Sequence, residues 1–110
     1  MRARERNYEH WFFHLSLSRL KYSVYILYSQ THDRYYVGQT NNLENRIERH
    51  NNGYVKSTKA YRPWIIVYTE EFLERTPAVR REAQIKAWKS KKMILKLVDA
   101  SRSGSGFLRE

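Results

Sequence analysis

Three side chains able to do acid–base or phosphate chemistry stand where a helical pattern calls for apolar residues. Helical residues advance by about 100° each, so Leu43 and Ile47 set the apolar stripe of the segment 43–50. Arg46 and His50 fall in that same stripe, whereas Glu44, Asn45, Glu48 and Arg49 fall opposite it. A guanidinium and an imidazole therefore point toward the protein body, one turn apart. Glu82 repeats the anomaly, with Ala78, Val79 and Ile85 as its i−4, i−3 and i+3 neighbours. A carboxylate in such a place is costly unless it meets a cation or a metal. Bland alternatives stay open: Arg46 and Glu82 could form a plain ion pair between helices, Glu82 could pair with Lys86 on the surface, and His50 could be a hydrogen-bonded core residue.

Tyrosines supply the rest of the constellation. Tyr25 lies in Tyr22-Ser23-Val24-Tyr25-Ile26-Leu27-Tyr28 and Tyr36 in Tyr35-Tyr36-Val37-Gly38-Gln39-Thr40, both rich in β-branched and aromatic residues and read as strands. The polar stretch 30–34 makes them a hairpin over 22–40. If that connection has an even number of residues, both phenols project from one face, and Gly38 allows a close approach to the backbone. Strand tyrosines are usually packing residues, so the phenols count only together with the inward Arg, His and Glu.

The elements that must hold these groups follow from local signals. Thr40-Asn41-Asn42 offers N-cap oxygens for a helix from Leu43 to His50, and Asn51-Asn52-Gly53 ends it. Residues 54–62 read as a basic, polar loop. Trp64-Ile65-Ile66-Val67-Tyr68-Thr69 is a third strand, and its nearly continuous apolar run predicts the most buried strand of the three. Thr76-Pro77 predicts a second helix, Thr as N-cap and Pro at the first helical position, running to about Lys89. A short helix is expected over Met93–Val98. The organisation is thus a 1–20 extension of undecided structure, a domain over 21–98 and a flexible tail over 99–110 with two Ser-Gly steps.

Composition restricts the partners. A chain of 110 residues has room for one modest core. Its 21 Lys and Arg against 11 Asp and Glu give a net charge of +10, which favours a polyanion, nucleic acid before acidic membranes or proteins. Cysteine is absent, which removes disulfides, thiol nucleophiles and cysteine-based zinc sites, and fits a cytoplasmic protein. The apolar stretch 11–15 is too short and too polar in its surroundings for a signal peptide, and no run reaches a membrane span. His10 and His14 are a turn apart but have no third ligand for zinc. Lys56, Lys59 and Arg62, interleaved with Tyr54 and Tyr61, suit phosphate contacts and base stacking, and a merely solvated loop would show the same composition. Arg80, Arg81, Lys86, Lys89, Lys91 and Lys92 make the second helix and its exit basic.

At these residues the chain resembles the GIY-YIG nuclease family, in its stand-alone, single-domain bacterial branch. The first motif appears as Ser23-Val24-Tyr25 and the second as Tyr36-Val37-Gly38, followed by Arg46, His50 and Glu82 at fitting spacings. Segments 38–46 and 80–86 are especially similar to that branch. Ser23 stands in place of the signature's first glycine, and Gln39 where repair-type members often carry lysine. The resemblance covers about 21–98 and implies an α+β fold, a three-stranded antiparallel sheet flanked by helices with the site on one sheet face. It implies a metal-dependent endonuclease hydrolysing DNA phosphodiester bonds, in a repair or recombination setting, with one Mg²⁺ (or Mn²⁺) per site. By that analogy Glu82 holds the metal, and Tyr36 or Tyr25 helps deprotonate the attacking water. Arg46 binds the phosphate, and His50 assists by hydrogen bonding or proton transfer. The expected nucleic-acid contacts are Lys56, Lys59, Arg62, Arg81, Lys86 and Lys89. A lone domain predicts selectivity for DNA structure or damage rather than sequence, in a monomer or weak homodimer. The rival reading is a non-catalytic nucleic-acid-binding module with the same fold.

Overall fold

The computed structural model describes residues 21–102. The expectations for 1–20, including His10 and His14, and for the tail from residue 103 onward lie outside the described residues. The order is β1 (Tyr22–Ser29), β2 (Arg34–Thr40), α1 (Leu43–Asn51), a 3₁₀ turn (Lys59–Tyr61), β3 (Ile65–Phe72), α2 (Arg75–Ala87) and α3 (Lys91–Arg102). The sheet is antiparallel throughout, with strand order β2-β1-β3, so the fold is α+β as expected. Among the described residues, no helix is long and apolar enough to cross a membrane.

β1 is the centre of the molecule. It is hydrogen-bonded on both edges and covered on both faces, which its unbroken run of apolar residues already suits. Val24 and Ile26 face one side, where Val37, Ala78, Ile85 and Val98 join them beneath α2 and α3. Tyr25 and Leu27 face the other, with Trp64, and with Leu43 and Ile47 of α1 packed against them. Burying such side chains stabilises the fold by ~1.5–3 kcal/mol each.

β3 corrects the sequence reading, which made it the most buried strand. It sits at a sheet edge, and Ile65 and Ile66 are 54% and 42% exposed. A register shift opposite Ile26 and Leu27 inserts an extra residue into β3, so its apolar run cannot serve one face in simple alternation. Farther along, Glu70 receives three hydrogen bonds of 2.8–3.1 Å from Arg81, and Tyr68 donates to the same carboxylate, which ties β3 to α2.

The helix ends follow local chemistry. Asn42 caps α1, its Oδ1 accepting from Asn45 N at 3.1 Å, and Gly53 (φ +82°) closes the other end, its N–H donating to the His50 carbonyl at 3.2 Å. α2 starts two residues earlier than predicted, at Arg75 rather than Pro77. Glu74, not Thr76, precedes the first helical residue without a side-chain cap, and Pro77 sits in the first turn, where helical N–H groups lack partners anyway. Ser90 Oγ accepts from Met93 N at 3.1 Å at the start of α3, which is longer than predicted and runs past Val98 to Arg102.

Candidate active site

The hairpin has the even parity that the phenols require. Ser29 pairs with Arg34, Leu27 with Tyr36 and Tyr25 with Gly38, leaving four residues in the connection. Cross-strand partners share a face, so Tyr25, Leu27, Tyr36 and Gly38 lie together on the side covered by α1. The reason for glycine is visible: a Cβ at residue 38 would stand 2.5 Å from Tyr25 Oη and 2.6 Å from its Cζ. The close approach anticipated at Gly38 is that of the Tyr25 ring.

α1 delivers its two polar residues to this face. Arg46 is half-buried and His50 fully buried, while Glu44, Asn45, Glu48 and Arg49 are exposed, as the helical wheel requires. Tyr25 Oη lies 3.0 Å from His50 Nε2, and His50 Nδ1 lies 2.8 Å from Thr58 Oγ1. Because the Thr58 hydroxyl also reaches the Val55 carbonyl at 3.3 Å, the consistent assignment has Thr58 donating to Val55 and His50 Nδ1–H donating to Thr58. Nε2 is then the acceptor for the Tyr25 hydroxyl. Burial, with the Arg46 and Arg49 charges, pushes the His50 pKa down to about 4, so the imidazole is neutral near pH 7. Burial also pushes the Tyr25 phenol well above its usual value. Tyr36 is the next cause; Arg46 opposes the shift and Glu82 adds to it. Both residues therefore stay uncharged at neutral pH, joined by one hydrogen bond.

Tyr36 is half-buried, its ring centroid 6.3 Å from that of Tyr25 and 4.8 Å from that of His50. Glu82 arrives from α2, which packs through Ala78 and Ile85 onto the far face of the sheet. Its side chain is 19% exposed and its field reaches Tyr25. One oxygen meets Lys86 Nζ at 2.7 Å, and that ammonium lies 6.0 Å from the Tyr36 ring centroid. The surface pairing considered from the sequence is thus present, on the side of α2 that looks toward the phenols. Among the described residues, no Arg46–Glu82 ion pair forms.

The basic residues divide. Lys56, Lys59 and Arg62 are exposed on the loop before β3, Arg62 Nε donating to the Lys59 carbonyl at 2.8 Å. Lys89 is exposed at the exit of α2. Lys86 is engaged by Glu82, and Arg81 is held by Glu70 and by Gln84 Oε1 at 2.6 Å. Of the six, Arg81 has its donors most fully occupied within the protein.

Sequence reasoning passed over the groups that fix His50. Thr58 is buried, and its carbonyl accepts from Trp64 Nε1 at 2.9 Å. Trp64 is clamped in turn by Asn51, whose Oδ1 accepts from Trp64 N at 2.7 Å and whose Nδ2 donates to Trp64 O at 3.0 Å. A threonine inside Ser57-Thr58-Lys59 has no periodic signature, so nothing in that loop marks it as a buried partner.

Comparison with known proteins fits this geometry to a family. The family model described as the GIY-YIG catalytic domain matches residues 21–94, from the start of β1 into α3. The chain belongs to the GIY-YIG family. A UPF0213 protein of Staphylococcus haemolyticus is 40% identical over 80 residues, covering 72% of this chain and 95% of that protein. One from Clostridium perfringens is 45% identical over 64 residues, 57% of this chain and 68% of that protein. The solution NMR structure of a UPF0213 protein from Bacillus halodurans, 30% identical, matches with a TM-score of 0.47 over 72% of this chain and 83% of that one. GIY-YIG membership places the chain in a family of nucleases, with DNA as the substrate it implies.

Proposed function

We propose that this GIY-YIG domain is a Mg²⁺-dependent endonuclease that hydrolyses DNA phosphodiester bonds through Tyr25, Tyr36, Arg46, His50 and Glu82. One observation carries the reading: three elements bring these side chains around a single buried phenol, Tyr25. His50 is hydrogen-bonded to it, while Tyr36, Arg46 and Glu82 act on it electrostatically. A purely structural core has no use for that much ionisable surface next to one hydroxyl.

The donor set suits a hard divalent ion. Glu82 is a partly open carboxylate, and among the described residues no group of three His, Cys, Asp or Glu could cage an ion. A cation that keeps several waters and takes the substrate phosphate as a further ligand needs no more than that carboxylate. When bound, such an ion neutralises charge on the scissile phosphate and the leaving oxygen.

The protein's own groups then divide the work. Arg46 presents a fixed cation to the phosphate and stabilises the charge that grows in the transition state. Tyr36, the more open phenol, meets the attacking water and manages its proton. Tyr25, locked over Gly38 and hydrogen-bonded to His50, keeps the site's geometry. The neutral Nε2 of His50 accepts the hydrogen bond of the Tyr25 hydroxyl and fixes its direction. The exposed Lys56, Lys59, Arg62 and Lys89 add affinity independent of sequence, so selectivity comes from the shape or damage of the DNA. Repair or recombination of DNA is the corresponding setting.

Nicking of supercoiled plasmid by the purified protein tests this, with Mg²⁺, with Mn²⁺ and with EDTA. Nicking with either metal and none with EDTA is expected. DNA binding with no nicking of intact, nicked or branched DNA in any metal would favour the non-catalytic module instead.

A further inference from the structure

β2 continues the site's face beyond Tyr36 to its first residue. Arg34 pairs with Ser29 in the register that pairs Tyr36 with Leu27, so Arg34, Tyr36 and Gly38 share one face. Two residues along a strand span ~7 Å, which puts Arg34 one side-chain position beyond the open phenol. Its guanidinium is placed rather than loose: Cζ lies 4.2 Å from the Tyr61 ring centroid. Tyr61 is itself braced, with His32 edge-on at 5.0 Å and the buried, doubly clamped Trp64 edge-on at 6.5 Å.

Among the described residues, no acid neutralises the charge on Arg34. The neighbouring acid, Asp33, is taken by Lys91 Nζ at 2.6 Å and by the Tyr28 hydroxyl at 2.9 Å. No carboxylate among the described residues forms a salt bridge with Arg34, although it is exposed. An arginine whose plane rests on an aromatic ring keeps its N–H edges free and loses little freedom on binding, which suits a phosphate. Tyr61, expected from the sequence to stack a base, carries the Arg34 cation over its ring.

We infer that Arg34, held on Tyr61, is a second phosphate-binding site, which takes the DNA backbone on the hairpin-tip side of the scissile phosphate. Tyr61 is its positioning residue. The inference rests on the nuclease reading, because it supposes a DNA strand running along β2 across the phenols.

Metal-free binding separates the two. Affinity of the full chain for a short fluorescein-labelled DNA duplex is measured in EDTA across a salt series, for wild type, Arg34→Gln, Arg34→Lys, Tyr61→Leu and Arg34→Gln/Tyr61→Leu. Loss of one phosphate contact lowers the slope of log affinity against log salt by ~0.9. Arg34→Gln is expected to show that drop together with weakening of about fivefold or more at low salt. Arg34→Lys is expected to keep the slope, and Tyr61→Leu to weaken binding in wild type but not further in the Arg34→Gln background. An unchanged slope in Arg34→Gln, with normal wild-type binding, overturns the site and leaves the nuclease reading standing. Losses that add in the double variant overturn the positioning role of Tyr61. Absence of salt-dependent binding by wild type overturns both the site and the nuclease reading.

Discussion

His50 is fully buried between two hydroxyls, and its environment dictates how stability responds to acid. Its folded pKa is about 4, below the ordinary value of 6.5, so the unfolded chain binds the proton first. Stability from this group is therefore complete above about pH 6.5 and is lost as pH falls toward 4, by up to ~3 kcal/mol. Urea midpoints measured between those pH values should fall steeply in wild type and less steeply in His50→Gln. Equal slopes would mean that the imidazole is not held neutral. The inward placement of His50, Arg46 and Glu82 was legible in the sequence because helical period alone decides it. The relay beyond His50 was not. Thr58 and the Asn51–Trp64 clamp depend on how an irregular loop closes onto α1, and loop closure leaves no period to read.

Among the elements, the hairpin and α1 could be read closely, because turn parity, Asn42 as cap and Gly53 as stop are local facts. The burial of β3 could not, since strand order decides which strand is central and an apolar run looks alike at an edge or in the middle. The difference is measurable. Ile26→Ala in β1 should cost ~2–5 kcal/mol, whereas Ile65→Thr in β3 should stay within ~0.5 kcal/mol. Similar losses at both positions would contradict the edge placement. Arg81 gives a second contrast, between elements rather than within one. Arg81→Ala leaves the half-buried Glu70 carboxylate with the Tyr68 hydroxyl but without its cation, and a loss of ~1–3 kcal/mol is expected in thermal or urea unfolding. DNA affinity should barely change, because the guanidinium is already engaged; a weakening as large as that in Lys56→Ala would return Arg81 to the DNA surface.

At the scale of the molecule, a net charge of +10 suits a polyanion such as DNA, and a three-stranded sheet gives one face to the main core and the other to the cluster around Tyr25. α2 serves both, packing Ala78 and Ile85 into the core while presenting Glu82 toward the phenols. Charge alone is enough for DNA binding; the proposed cleavage needs the converging side chains as well. Glu82→Gln separates these, since it removes one negative charge and leaves the shape of α2 nearly intact. The decisive measurement is single-turnover cleavage of labelled DNA with Mg²⁺ by wild type and Glu82→Gln, with bound DNA followed in the same samples. A fall in rate of ~100-fold or more with binding retained is the predicted result; equal rates in the two proteins would contradict it.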